Sequence, residues 1–314
     1  MPANRVKLSS LATEERNPRS LRLDLLTAKQ IAELMVREVD QVNRALRGAI
    51  PQMGRAVDAI VKQMSRGGRL IYIGSGTSGR IGILDAVECV PTFNTKPGQI
   101  QGIIAGGPRA CYQAVEASED DAGGGRGDLR KLKLTARDVV VGIAASGRTP
   151  YTCGALKYAK SVGATTVALV NSPKSPMKRL AGITIEVLTG PEVLTGSTRL
   201  KAGTAQKLVC NILSTASMVR LGAVYSNWMI HVHLKNEKLI ARGIKILMGI
   251  TGATESAANK ALAQSHYDLK VAAVMLAKKC DVERARILLH RSKENLRAAL
   301  QMRTTLSSDR SKSR

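Results

Sequence analysis

Two short stretches of the chain combine glycine and hydroxyl side chains at a spacing suited to holding an anion. The first is Gly74-Ser75-Gly76-Thr77-Ser78-Gly79-Arg80, the second Ala145-Ser146-Gly147-Arg148-Thr149-Pro150. Glycine lets the backbone approach a ligand closely, and a helix that starts there points free N–H groups at negative charge. Ser75, Thr77 and Ser78 add hydroxyl donors to the first loop, and Ser146, Arg148 and Thr149 repeat the chemistry in the second, with Pro150 suited to the first turn of a helix. Each loop taken alone is equally well read as Ser and Thr capping a helix. The pair favours a phosphorylated small ligand, with these six residues as its binding set. The first loop also has the G-x-G-x-x-G form of a dinucleotide site, which needs an acidic residue at the end of the next strand. That strand ends in Ala105-Gly106-Gly107, against the dinucleotide reading.

Such loops need strands that end in them. Leu70 to Ile73, Ile100 to Ala105, Val139 to Ala144, Thr166 to Val170 and Ile183 to Leu188 are short apolar runs bounded by glycine or polar residues. They suit strands buried on both faces of a parallel sheet. Helical stretches lie between them, so the fold class is α/β, a three-layer α-β-α sandwich with a parallel sheet. Both loops then fall at carboxyl ends of strands, where open α/β sheets bind ligands. Residues 1–66 form a helical segment packed on the core. In it, Thr27-Ala-Lys-Gln30 is a capping box opening a helix over Ile31 to Leu46, and a second helix follows Pro51 to about Met64. Residues 67–242 form the α/β domain, with Gly123 to Gly127 expected as a flexible loop and Lys201 to Leu221 as a long helix. Residues 243–303 form a small helical domain, and 304–314 a frayed tail.

The 314 residues carry 48 basic and 24 acidic side chains, a formal charge of +24. Such a charge invites a nucleic-acid reading, but aromatics make up 3% of the chain, too few to stack bases on. The excess is spread, +5 over residues 1–66, +12 over 67–245 and +7 over 246–314, which argues against a basic arm and against nucleic acid as partner. Cys89, Cys111, Cys153, Cys210 and Cys280 stand far apart without metal-ligand spacing, as reduced thiols of a cytoplasmic protein. His231 and His233 lack a third ligand nearby, so no metal is expected. No apolar run approaches the ~20 residues that span a bilayer, so no membrane is expected either.

Several motifs together carry a resemblance. They are Thr13-Glu-Glu-Arg-Asn-Pro18, Gly74-Ser-Gly-Thr-Ser-Gly-Arg80, Leu84-Asp-Ala-Val-Glu-Cys-Val-Pro-Thr-Phe93, and Ala114-Val-Glu-Ala-Ser-Glu-Asp120. Ala144-Ala-Ser-Gly-Arg-Thr-Pro-Tyr151 and Gly196-Ser-Thr-Arg-Leu-Lys-Ala-Gly-Thr-Ala-Gln-Lys207 complete the set. With them the chain resembles the sugar isomerase (SIS) superfamily of phosphosugar-binding domains and, within it, the N-acetylmuramic acid 6-phosphate etherases. The resemblance implies a lyase that cleaves the D-lactyl ether at carbon 3 and adds water, leaving N-acetylglucosamine 6-phosphate, with no cofactor. It further implies a homodimer, a C-terminal domain of ubiquitin-associated type, and a role in cytoplasmic recycling of cell-wall sugars.

Elimination of this kind needs a base for the acidic hydrogen on carbon 2 of the open-chain sugar and an acid for the departing ether oxygen, roles two carboxyl groups can fill. By resemblance, Glu88 matches the family's proton donor and Glu119 its second active glutamate, making these two the catalytic pair. Spacing alone does not separate Glu119 from Glu116, three positions away on a helix face. Glu88 lies ten residues beyond Ser78, roughly 15 Å along a helix at ~1.5 Å per residue. That reach requires a break near Gly82, a substrate lying along the helix, or service to the site of a second subunit. Arg199 or Lys201 is available for the lactyl carboxylate.

Three positions depart from the family pattern. Val90-Pro91-Thr92-Phe93-Asn94 replaces the usual Pro-Pro-Thr-Phe/Tyr-Gly, Val36-Arg37-Glu38-Val39 keeps only the glutamate of Asn-x-Glu-Asp, and His231 stands where Asp is usual. Rival functions are a non-catalytic phosphosugar-binding regulator and an aldose-ketose phosphosugar isomerase.

Overall fold

The computed structural model describes residues 13–302 except 233 and 235. His233 and the tail expected at 304–314 therefore lie outside the described residues. The described residues divide into two compact units, one of residues 13–90 and 95–217 and one of 91–94 and 218–302.

In the first unit, helices α1 (Ala28–Gly48) and α2 (Ile50–Met64) precede strand β1 (Leu70–Gly74). The expected capping box opens α1: the Gln30 N–H donates to Thr27 Oγ1 and the Thr27 N–H to Gln30 Oε1. There follow α3 (Gly76–Phe93), β2 (Ile100–Ile104), α4 (Ala122–Lys131), β3 (Val139–Ala144) and α5 (Pro150–Ser161). Then come β4 (Thr165–Val170), α6 (Met177–Leu180), β5 (Ile183–Glu186) and the long α7 (Lys201–Arg220); the last three residues of α3 and of α7 are counted with the second unit. All five strands pair in parallel in the order β2-β1-β3-β4-β5. Every residue of β1 and β3 is buried, as strands covered on both faces must be. The chain leaves β1 toward β2 and returns to β1's other side as β3, so the ends of these strands diverge into a crevice.

Gly123–Gly127 is part of helix α4, not the flexible loop its composition suggests. Glycine costs ~1 kcal/mol per residue in a helix, but here it permits close packing on α5. A Cβ on Gly125 would lie 2.1 Å from the Tyr151 carbonyl oxygen, and one on Gly154 2.1 Å from that of Ala122. Asp121 caps the helix, accepting from the Gly124 N–H at 2.8 Å. The Glu116–Glu119 segment is a 3₁₀ turn and not an α-helix.

The second unit holds a short hairpin, β6 (Val224–Tyr225) with β7 (Trp228–Met229), which the sequence pattern did not announce. Helices α8 (Glu237–Thr251), α9 (Glu255–Gln264), α10 (Leu269–Lys278), α11 (Val282–Arg291) and α12 (Leu296–Gln301) follow. Its core includes Ile230 and Val232 together with Leu247, Val274 and Leu288. The unit therefore begins well before residue 243, because the hairpin segment supplies part of the apolar surface that the helices bury.

A buried polar cluster fixes the N-terminal segment of the first unit. Glu38 on α1 and Lys201 at the start of α7 pair Oε2 to Nζ at 2.5 Å, with side chains only 1% and 5% exposed. Asn17 Nδ2 donates to Glu38 Oε2 at 2.9 Å and to the Pro191 carbonyl at 3.3 Å, and Arg19 lies 3.1 Å from Oε1. Glu192, fully buried, accepts from the backbone N–H groups of Lys201 and Ala202, both at 2.9 Å, capping α7. Burial alone would raise the Glu38 carboxyl; the hydrogen bond and charge of Lys201, with Asn17 and Arg19, hold it below the usual carboxylate range.

Lys201→Met would leave buried Glu38 with only the half-exposed Arg19 as counter-ion, a change that costs up to about 3–5 kcal/mol, so urea denaturation should show a loss approaching that size. Because the folded-state pKa of Glu38 is depressed, its contribution is full above the unfolded value of about 4.3 and is lost as pH falls through the folded one. The urea midpoint should drop in that acid range. Glu38→Gln should flatten part of the slope and leave the part due to Asp138, which Arg69 also holds low once burial is overcome.

Candidate active site

Strand β1 ends at Gly74, and α3 begins within two residues. Gly79 sits tightly over this corner: an added Cβ would come within 2.6 Å of both the Gly74 carbonyl oxygen and the Ile104 side chain. This contact presses the first turn of α3 onto the sheet. Helical geometry leaves the N–H groups of Gly76, Thr77 and Ser78 without intrahelical acceptors. Ser75 Oγ is buried and has no hydrogen-bond partner among the described residues. The Ser78 hydroxyl is already engaged, donating to Gln206 Oε1 at 2.9 Å. Gln206 in turn donates to Asn171 Oδ1 at 2.9 Å, and Asn171 to the Val187 carbonyl at 2.9 Å. Ser78 thus offers the crevice its N–H and its oxygen lone pairs, while Ser75 offers a free donor.

At the end of β3, Gly147 adopts φ +63°, and a Cβ there would fall 1.9 Å from Ser175 Oγ, so the turn admits only glycine. Ser175 Oγ donates to the Gly147 carbonyl at 2.9 Å and holds the loop in place. Ser146 and Thr149 line the crevice; Arg148 is exposed and is not among the lining residues. Thr149, itself buried, donates its hydroxyl to Glu119 Oε1 at 2.9 Å. This bond distinguishes the two glutamates that spacing left equal: Glu119 lines the crevice and Glu116 does not.

The crevice has a volume of about 220 Å³. Besides the two loops and Glu119, its walls include Thr13 and Glu14 from the N-terminal segment and Gly196 and Thr198 from the loop before α7. Those four carry no local signal of function. They stand in motifs that marked the family, but only tertiary structure places them at the site. Among the described lining residues there is no Lys or Arg. Lys201 is consumed by Glu38, and Arg199 is exposed outside the lining.

Glu88 is exposed on α3 and lies outside the crevice lining. The helix runs unbroken from Gly76 through Gly82 to Phe93, which removes a break as the way to bring Glu88 to the loops. Twelve positions separate it from Gly76, about 18 Å of helix axis. The buried face of the same helix carries Asp85, whose Oδ1 accepts from Asn211 at 2.7 Å and Ser214 at 3.2 Å. Nearby, burial reinforced by Asp85 pushes the Cys89 thiol up to about 12, leaving it an inert core residue. Among the described residues, no group of His, Cys, Asp and Glu is placed to hold a metal ion.

Comparison with known proteins places the α/β domain among its relatives. Residues 52–160 match the family model of the glucokinase regulatory protein N-terminal SIS domain, and residues 126–216 match that of the SIS domain. The chain is 50% identical to an N-acetylmuramic acid 6-phosphate etherase of Mycolicibacterium smegmatis, over 93% of this chain and 98% of the relative. It is 49% identical to that of Edwardsiella ictaluri (95% and 99% covered) and 48% identical to N-acetylmuramic acid 6-phosphate etherase 2 of Vibrio cholerae (94% and 96%).

Ser75→Ala should leave folding stability unchanged or slightly raised, since it deletes a buried hydroxyl without a partner. Titration calorimetry with a sugar phosphate should show affinity reduced about tenfold, the loss of one hydrogen bond to a charged group.

Proposed function

The chain belongs to the N-acetylmuramic acid 6-phosphate etherase family, and we propose that its reaction runs in the crevice between β1 and β3, with Glu119 as base. The enzyme is a carbon–oxygen lyase that splits N-acetylmuramic acid 6-phosphate into N-acetylglucosamine 6-phosphate and D-lactate. The observation that carries the assignment of the site is the convergence of two hydroxyl-rich loops with a carboxylate held by Thr149.

The phosphate rests against the first turn of α3, Ser75 and Ser146, where N–H and O–H donors meet a dianion without a cationic side chain among the described lining residues. Thr149 holds Oε1 of Glu119, and Oε2 is the oxygen left to serve the sugar. In the open-chain substrate this oxygen takes the hydrogen from carbon 2, and the electron pair delocalises into the carbon 1 aldehyde. Collapse of that enolate forms the carbon 2–carbon 3 double bond and breaks the bond from carbon 3 to the lactyl oxygen, which receives a proton as it leaves. Water then adds: its hydroxyl goes to carbon 3 and its proton to carbon 2.

The proton for the lactyl oxygen comes from Glu88 of a second copy of the chain. Beside Glu88, α3 exposes Leu84, Val87 and Val90, an apolar strip suited to a homodimer contact. We infer a cytoplasmic enzyme that recycles muramic acid from the cell wall. All five cysteines are free thiols, in keeping with a reducing compartment.

Glu119→Gln should abolish D-lactate release while retaining sugar-phosphate binding; unchanged release removes Glu119 from the mechanism. Thr149→Val should lower kcat about 10–100-fold, the worth of one hydrogen bond to a charged group. Mixing Glu88→Gln with Glu119→Gln protein should restore about a quarter of wild-type lactate release, because half of the dimers formed contain one intact composite site. Full activity in a protein shown to be monomeric by sedimentation overturns the shared site.

A further inference from the structure

Glu14 brings a second carboxylate into the crevice, from a segment with no part in the chemistry described so far. It is half-buried and lines the site together with Glu119, Thr13 and Thr198. Its carboxylate lies over Gly196, with Oε2 3.0 Å from where a Cβ would stand on that residue, which adopts φ +79°. Any larger residue at 196 would be strained and would displace the carboxylate. The backbone on either side is fixed: Thr13 and Asn17 are buried, and Asn17 is tied to Glu38 and Pro191. Among the described residues, the Glu14 carboxylate has no hydrogen-bond or ion-pair partner.

A carboxylate at neutral pH accepts hydrogen bonds and donates none. Facing a substrate with a phosphate at one end and a lactyl carboxylate at carbon 3, Glu14 repels both anionic groups. It is satisfied only by the neutral donor edge of the sugar, its hydroxyls and acetamido N–H. No Lys or Arg among the described lining residues offers an alternative partner. The geometry points to Glu14 as a specificity-determining residue that binds the neutral donor edge of the sugar and so directs the phosphate toward Ser75 and Ser146. This takes the substrate identity from the etherase reading.

The test compares wild type with Glu14→Gln, a change of charge with little change of shape, using calorimetry with N-acetylglucosamine 6-phosphate and with inorganic phosphate. The expected result is a tenfold or greater loss of affinity for the sugar phosphate with inorganic phosphate unchanged within twofold. The KM for N-acetylmuramic acid 6-phosphate should rise by a similar factor, with kcat changing less. Unchanged affinity for the sugar phosphate overturns the role, and so does an equal weakening of both ligands, which would mean that Glu14 only supports the crevice. If Glu14→Gln lowers the melting temperature, Glu14→Asp decides: it keeps the charge and should bind the sugar phosphate better than Glu14→Ala does. Equal weakness of those two variants overturns the role. Absence of lactate release from wild type would defeat the etherase reading alone, since the binding comparison remains legible without turnover.

Discussion

Glu38 and Lys201 stand 163 positions apart, yet they bury a carboxylate against an ammonium, and much of the site is organised by that pairing. Its value is not simple stabilisation, because desolvating both ions offsets most of their attraction. What the pair supplies is position. Glu38 collects Asn17 and Arg19 on one side, and Glu192 caps the helix that carries Lys201 on the other. The N-terminal segment and the loop before α7 are thereby held at the crevice, one bearing Glu14, the other Gly196 and Thr198. An apolar pair of equal volume could fill the space, but it would not direct hydrogen bonds along both segments at once.

The same cluster bears on how an anionic substrate is received. The lactyl carboxylate's need for a counter-charge made Arg199 and Lys201 candidates, but the Lys201 ammonium is engaged in the fold, Arg199 lies outside the lining, and the described lining holds carboxylates and hydroxyls without a cation. In the proposed site, local recognition depends on oriented N–H and O–H dipoles, whose strength comes from being fixed before the ligand arrives. The formal charge of +24 acts at longer range, drawing a substrate with two anionic groups toward the surface without selecting among phosphates. In the proposal made for Glu14, selection then falls to the carboxylates, which oppose any pose that brings negative charge near them.

Local sequence was most legible where backbone chemistry decides the structure. Glycine and hydroxyl residues after buried apolar runs revealed both loops, since a strand end, a tight turn and a helix start each have compositional demands. Thr27 and Gln30 revealed the start of α1 for the same reason. Legibility failed where a distant partner decides. Gly123 to Gly127 looks flexible until α5 lies against it at a distance only glycine permits. Glu119 differs from Glu116 through a bond to Thr149, thirty positions on, and no periodicity encodes that. Glu14 and Gly196 lie in motifs that mark the family, yet nothing in their immediate neighbours shows that they meet. The hairpin at β6 and β7 is too short, at two residues per strand, to leave an alternating pattern.

The span of the Glu38–Lys201 pair also bears on synthesis. The segment carrying Glu14 leaves the ribosome long before α7 does, but its anchor is completed only when α7 emerges. At roughly 5–20 residues per second, translation of the intervening chain takes about 10–30 s. Through that interval strands β1 to β5 can pair and bury their side chains while Glu38 remains hydrated and the amino-terminal segment hangs unplaced. The closing of the crevice is therefore a late, long-range step, with the loop-closure cost that such contacts carry. In the proposed site, a nascent enzyme would own its phosphate loops well before it could tell one sugar from another.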